Sequence, residues 1–278
     1  LAILNDGRLV SGSWDASIII YNKLTYQPDL IIKEHNSGVL CIIQLMSGEL
    51  VSCSYDDKEI KIFRIKGNEY EVLQTLKYHT SYVWKIIELN NNKLVSCSDD
   101  ASIIFYFKDN LEFKQDYTIK TNGGCCSIIQ TKDNEICYSE KNNNSICFCD
   151  LSERKIKTSL SNISMLNERR EWFLMISKDL LFIPGENKIS IINVNQYRLV
   201  RIIDAPGSSW ICGVCKLNQN MILTGDSAQI LRQWRIEGDN LILTSKKEKV
   251  HTAGINVLLN LGNGHVASGS DDNTIKIW

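Results

Sequence analysis

Three of the four histidines stand where, with a serine and an aspartate, they could build base-activated nucleophiles. His79, Ser96 and Asp100 form one such set, and His251, Ser268 and Asp272 another. In a hydrolase these residue types pass a serine proton to the imidazole while the carboxylate orients the ring. Their spacing argues against that chemistry. Each His is followed 17 residues later by its Ser, and His35 with Ser52 keeps the same interval, so each set would be a separate triad. Repetition points to scaffold, and neither a Gly-x-Ser-x-Gly elbow nor a Gly-rich phosphate loop accompanies it. The carboxylate pairs Asp99/Asp100 and Asp271/Asp272 fall in turns, not in a shared cleft. Cys212-x-x-Cys215 has the spacing of a metal or redox pair. On a strand, however, residues three apart point to opposite faces. No second pair or neighbouring His completes a zinc site, and no helix follows to lower a thiol pKa. The remaining cysteines lie in apolar runs and read as small core residues of a reducing compartment. No catalytic residue, metal ligand or cofactor is expected.

The elements that carry these residues repeat as well. His79 to Tyr106 aligns with His251 to Trp278 without a gap, and His35 opens a third copy that ends at Phe63 after one inserted residue. Equivalent end positions are Tyr21, Phe63, Tyr106, Cys149, Ile192, Trp234 and Trp278, at intervals of 42, 43, 43, 43, 42 and 44 residues. Within a copy, short runs with period-two patterning are separated by turn residues such as Asn90-Asn-Asn-Lys93, the signal of antiparallel strands. A four-stranded unit repeating every 40–45 residues is the signature of a β-propeller blade.

On these residues the chain resembles the WD-repeat (β-transducin-like) seven-bladed β-propeller family. The best copies open with His79 or His251, and the last ends in Thr274-Ile-Lys-Ile-Trp278; the Trp-Asp dipeptide itself never appears. Copies 4, 5 and 6 fit by period and strand pattern more than by motif. The resemblance implies an all-β fold, one propeller of four-stranded antiparallel blades over residues 1–278. Its blades would run over about 1–34, 35–78, 79–120, 121–162, 163–204, 205–250 and 251–278. Seven such blades need about 301 residues, so the strand that closes the ring is expected to be missing or shortened and blade 7 to have three strands. The resemblance also implies a structural relay in which the turn Asp bonds the His, the His bonds the Ser, and the Ser accepts the Trp indole N–H. Asp272, His251, Ser268 and Trp278 match it fully; Asp100, His79 and Ser96 match with Tyr106 in place of Trp. In copy 2, Phe63 cannot donate, which breaks the relay there. The fourth histidine, His265, falls in a turn with no evident partner.

In this family the usual partner-binding face is the rim built from the loops that enter each first strand and the turns after each second strand. Carried over copy by copy, that rim holds Trp14 and Tyr55 beside turn aspartates, Tyr82 and Trp84 at the third blade's first strand, Trp210 in copy 6, and Arg169 and Arg170 in copy 5. Trp, Tyr and Arg dominate interface hot spots because they bury large area with a polar handle. The opposite rim carries turn formers such as Asn5-Asp-Gly-Arg8, which are poor anchors.

Composition agrees with an interaction module. Of 278 residues, 44% are hydrophobic and 23% charged, as in globular chains, and 31 Lys and Arg face 32 Asp and Glu for a net charge of −1. That balance excludes a broadly basic nucleic-acid binder and gives no electrostatic reason to sit on an anionic membrane. Apolar runs such as Trp172 to Ile176 are far short of a bilayer span. The sequence is expected to be part of a longer chain in the cytoplasm or nucleus. The expected function is a non-catalytic scaffold for a protein or peptide partner. A structural subunit of a multi-protein assembly, or a phospho- or acidic-motif reader using Arg169 and Arg170, stand as alternatives.

Overall fold

Runs of β-branched and aromatic residues broken by Asn, Asp and Gly form strands and hairpins. Among the described residues there is no helix. The computed structural model describes residues 1–142, 144–161, 163, 173–207 and 209–278. The strands make seven successive sheets, in each of which they lie in chain order. Blade 1 comprises Ala2–Ile3, Leu9–Gly12, Ile18–Tyr21 and Pro28–Ile32, and blade 2 Val39–Gln44, Leu50–Ser54, Ile60–Lys66 and Glu69–Leu76. Blade 3 comprises Val83–Glu88, Leu94–Ser98, Ser102–Asp109 and Glu112–Lys120, and blade 4 Ile128–Lys132, Glu135–Glu140, Ser145–Asp150 and Lys155–Leu160. Blade 5 comprises Leu174–Met175, Leu180–Pro184, Lys188–Asn193 and Arg198–Asp204, and blade 6 Ile211–Asn218, Met221–Asp226, Leu231–Glu237 and Asn240–Lys247. Blade 7 has three strands, Ile255–Asn260, Val266–Ser270 and Ile275–Ile277. This all-β order is that of a seven-bladed propeller. The chain divides into two compact units, Leu1–Asp133 and Asn134–Trp278.

The period has a backbone cause. In all six four-stranded blades the pairing of third and fourth strands slips at one place: Ile20/Tyr21, Ile62/Phe63, Phe105/Tyr106, Phe148/Cys149, Ile191/Ile192 and Gln233/Trp234. The second residue of each pair is the repeat's end position. A bulge there bends the strand and increases its twist.

The cores lie between consecutive sheets. One buries Val10, Ile20 and Ile32 of blade 1 against Val39, Leu50 and Phe63 of blade 2, and another joins Val51 and Ile62 of blade 2 to Val83, Leu94 and Tyr106 of blade 3. Strands packed on both faces need small residues between large ones. Leu50–Ser54 and Leu94–Ser98, both Leu-Val-Ser-Cys-Ser, are buried at every position. All ten cysteines are buried, and none forms a disulfide. Burial pushes the Cys149 and Cys215 thiols up to about 12, far from a reactive thiolate.

A polar clasp also ties five of the blades, 2, 3, 4, 6 and 7, to the one before. The last residues of the first strands of blades 2 and 3, Gln44 and Glu88, accept the backbone N–H of Asn5 at 2.5 Å and of Met46 at 2.8 Å. Gln130, near the end of the corresponding blade 4 strand, accepts that of Asn90 at 2.9 Å. In the second unit the polarity reverses at the same blade position. Lys216 donates to the Ile176 carbonyl at 2.8 Å, and Asn260 to the Lys216 and Leu217 carbonyls at 2.9 and 3.1 Å.

Candidate partner-binding rim

The histidines organise the loops from which the rim is built. In blade 7, Asp272 Oδ2 lies 2.8 Å from His251 Nδ1, Ser268 Oγ lies 2.7 Å from His251 Nε2, and the Trp278 indole N–H donates to Ser268 Oγ at 2.8 Å. In blade 3, Asp100 Oδ2, His79 and Ser96 make the same bonds at 2.9 and 2.7 Å, and the Tyr106 hydroxyl lies 3.1 Å from Ser96 Oγ. Since a carboxylate only accepts, Nδ1 carries the ring proton and Nε2 takes the serine hydroxyl's, leaving the oxygen lone pairs to the aromatic donor. The bonds of the chain therefore run in one direction and satisfy every member. The buried Ser96 and Ser268 are 0% exposed, so their hydroxyls do not face a substrate.

Blade 2 keeps the first two links of the relay and lacks the last, at Phe63. His35 bonds Asp57 at 2.8 Å and Ser52 at 2.7 Å. The inserted residue moves the carboxylate from Asp56 to Asp57. His265 also has a partner, the Trp278 carbonyl at 3.1 Å. Blade 6 lacks the His but keeps the other half of the pattern: Trp234 donates to Thr224 Oγ1 at 2.9 Å, while Asp226 pairs with Arg232 of the third strand. Both members of that ion pair have side chains only 1% exposed.

Each relay carboxylate also caps the loop that enters its blade. Asp100 accepts the Thr80 N–H at 2.9 Å and Asp272 the Thr252 N–H at 3.0 Å. Burial works to raise the Asp100 carboxyl; the hydrogen bonds from His79, Ser102 and Thr80 outweigh it and hold the group well below the usual carboxylate range. The Asp272 carboxyl is lowered in the same way, against burial, by Thr274, Thr252 and His251.

Backbone bonds join these loops and turns in order: Val39 N–H to Ser13 O, Tyr55 N–H to Gly38 O, Asp99 N–H to Tyr82 O and Cys125 N–H to Ser98 O, all at 2.9–3.0 Å. Ser227 and Asp271 bond Trp210 and Gly254 likewise. Gly38, Tyr82, Trp210 and Gly254 thus share one blade position. A residue of the preceding blade's turn lies over it. A Cβ on Gly38 would meet Trp14 at 2.5 Å, one on Gly124 would meet Asp99 at 2.5 Å, and one on Gly254 would meet Ser227 at 3.1 Å. Blade 3 has a large ring there instead, and Tyr55 of blade 2 stacks on Tyr82 at 3.8 Å between centroids and 13° between planes.

The structure consequently brings four of the rim aromatics into one cluster. Trp14 meets Tyr55 edge-on at 5.2 Å, and Trp84 lies 6.0 Å from Tyr55 and 6.3 Å from Tyr82, nearly perpendicular to both. Trp14 is 52% exposed, while Tyr55, Tyr82 and Trp84 are half-buried. Trp210 belongs to the second unit, where its backbone bonds Ser227 and bridges to Glu186. Arg169 and Arg170 lie outside the described residues.

Residues 70–106 and 244–278 each match the family model of the WD domain, G-beta repeat. These two segments are WD repeats, and the seven sheets match a WD-repeat propeller. Each matched segment starts within or beside the outer strand of one blade and ends at the third-strand aromatic of the next, Tyr106 or Trp278, so the WD repeat straddles two blades. Both contain a four-membered relay. No curated protein matches the chain. Among the described residues no His, Cys, Asp and Glu cluster is arranged to hold a metal ion, and no helix is long and apolar enough to cross a membrane.

Proposed function

We propose that this propeller is a non-catalytic interaction scaffold that engages a peptide or loop of a partner protein over the rim carrying Trp14, Tyr55, Tyr82 and Trp84. WD40 propellers generally serve as protein-interaction scaffolds. The observation that carries the reading is the aromatic cluster itself: four rings from three consecutive blades in one contiguous contact, with Trp14 half in solvent. Such side chains supply large contact area at low conformational cost and anchor interfaces. Clustering four of them at a partly exposed edge does more for association than for the already filled cores between blades.

The test is affinity capture and cross-linking with the wild-type chain and with Trp14→Ala and Tyr82→Gly. Both variants keep the fold accessible, since Trp14 is exposed and glycine already occupies the Tyr82 position in blades 2 and 7. Partner recovery is expected to fall about tenfold or more with the unfolding midpoint little changed. Full recovery with both variants would move the site to the opposite rim or the blade edges.

A further inference from the structure

The charges around the aromatic cluster are not those of the chain as a whole. Segments 13–16, 33–38, 55–59, 77–82 and 99–101, which form this rim over blades 1 to 3, hold seven acidic residues and three basic ones, although the entire chain is nearly balanced. Two of the carboxylates follow rim aromatics directly: Asp15 after Trp14 and Asp56 after Tyr55, both exposed. A third, Asp99, is tied through its backbone N–H to the Tyr82 carbonyl. Asp56 and Asp99 lie close enough to Tyr55 to act on its phenol. The Tyr55 phenol is held above its ordinary range by its hydrogen bond to Tyr82, by burial and by the charges of Tyr82, Asp56 and Asp99.

We infer that the cluster receives a basic side chain, foremost an arginine, presented by the partner segment. This inference rests on the rim reading above and specifies its ligand. An aromatic face carries negative charge density and attracts a cation. The stacked Tyr55–Tyr82 pair and the perpendicular Trp14 and Trp84 offer ring faces and edges within one side chain's reach. Carboxylates at the border of such a platform complete the pairing, and a planar guanidinium can stack on a ring while donating to a carboxylate at its edge. An ammonium lacks the planar fork and fits less well. A phosphorylated or acidic segment would meet like charges on this side of the first unit and is disfavoured by them.

Fluorescence polarisation of the full chain with labelled peptides tests this. The central residue is Arg, Lys, Gln, Glu or phosphoserine, and the flanks are randomised among Gly, Ala and Ser. The Arg series is expected to bind about tenfold or more tighter than the Gln, Glu and phosphoserine series. Its affinity should fall at high salt and drop several-fold in Trp14→Ala and in the isosteric Asp56→Asn. Absence of Arg-peptide binding, equal or tighter binding of Glu or phosphoserine peptides, or indifference to Asp56→Asn overturns the inference. If the non-basic peptides that bind still depend on Trp14 and Tyr82, the rim reading stands and only its charge specificity falls. If binding ignores Trp14→Ala and Tyr82→Gly alike, both fall.

Discussion

At the scale of residues, the Ser-His-Asp sets illustrate how the same groups serve catalysis in one setting and structure in another. Ser268 takes part in two hydrogen bonds and is buried beneath Trp278, so it works as a joint. Removing its partner leaves the buried Ser268 hydroxyl proton without an acceptor and takes one donor from the Asp272 carboxylate, which keeps Thr252 and Thr274. His251→Ala is therefore expected to cost roughly 2–4 kcal/mol in denaturant unfolding. Unchanged stability would show that the relay contributes nothing net. Asp100 makes the effect pH-dependent. Its folded carboxyl lies below its ordinary value near about 3.9, so its contribution is complete above that pH and is lost as pH falls through the folded value. Asp100→Asn should be less stable than wild type by a constant margin from neutrality down to about pH 4, with the two curves converging below it. Blade 6 offers a sharper case. Replacing Arg232 by Met leaves the buried Asp226 carboxyl without its ion-pair partner, at an expected cost of about 3–5 kcal/mol. Combining it with Asp226→Leu should recover most of the loss.

At the scale of elements, the turn after the second strand is held in blades 1 to 3 from below by its carboxylate and from the side by the next blade. Gly38 shows the tolerance of that joint. A methyl group there would press on the Trp14 ring at 2.5 Å and its backbone at 3.2 Å. Gly38→Ala is expected to displace Trp14 from Tyr55, changing the near-ultraviolet circular dichroism, while far-ultraviolet strand signal persists. Retention of the native near-ultraviolet spectrum would mean that the loop yields instead. The blades were legible in the sequence because their period is written in large residues at the bulge: Tyr21, Phe63, Tyr106 and Trp234 each sit where the register slips. The aromatics of the proposed rim could be placed by phase: Trp14 and Tyr55 each follow a second-strand serine, Ser11 or Ser52, by three residues, and Tyr82 and Trp84 follow His79 by three and five. Asp57 was not, because one inserted residue changes which of two adjacent carboxylates reaches the imidazole. Nor was the Asp226–Arg232 pair, since a third-strand arginine ordinarily reads as solvent-facing. The clasp residues Gln44, Glu88, Gln130, Lys216 and Asn260 differ in charge and donor type. Only their shared place on the first strand, nine residues after His35, His79 and His251 in three cases, could have marked them.

At the scale of the whole molecule, stability is distributed by how many strands flank each element. Leu94–Ser98 lies between two strands of its own sheet and is buried throughout. Ile275–Ile277 is the last strand of a three-stranded sheet and only half-buried. Native-state hydrogen exchange is expected to be slowest in the former and fastest, among regular strands, in the latter. Equal protection would show that blade 7 opens only with the rest of its unit.

The clasps carry a direction along the polypeptide. Gln44, Glu88, Gln130, Lys216 and Asn260 all reach back to the backbone of the preceding blade, at a residue 39 to 44 positions earlier. During synthesis a blade can therefore pair its own strands on emerging from the ribosome, yet that backbone is fastened only after the next blade's first strand has been made. Maturation then travels from the N-terminal end toward the C-terminal end, with a lag of one repeat.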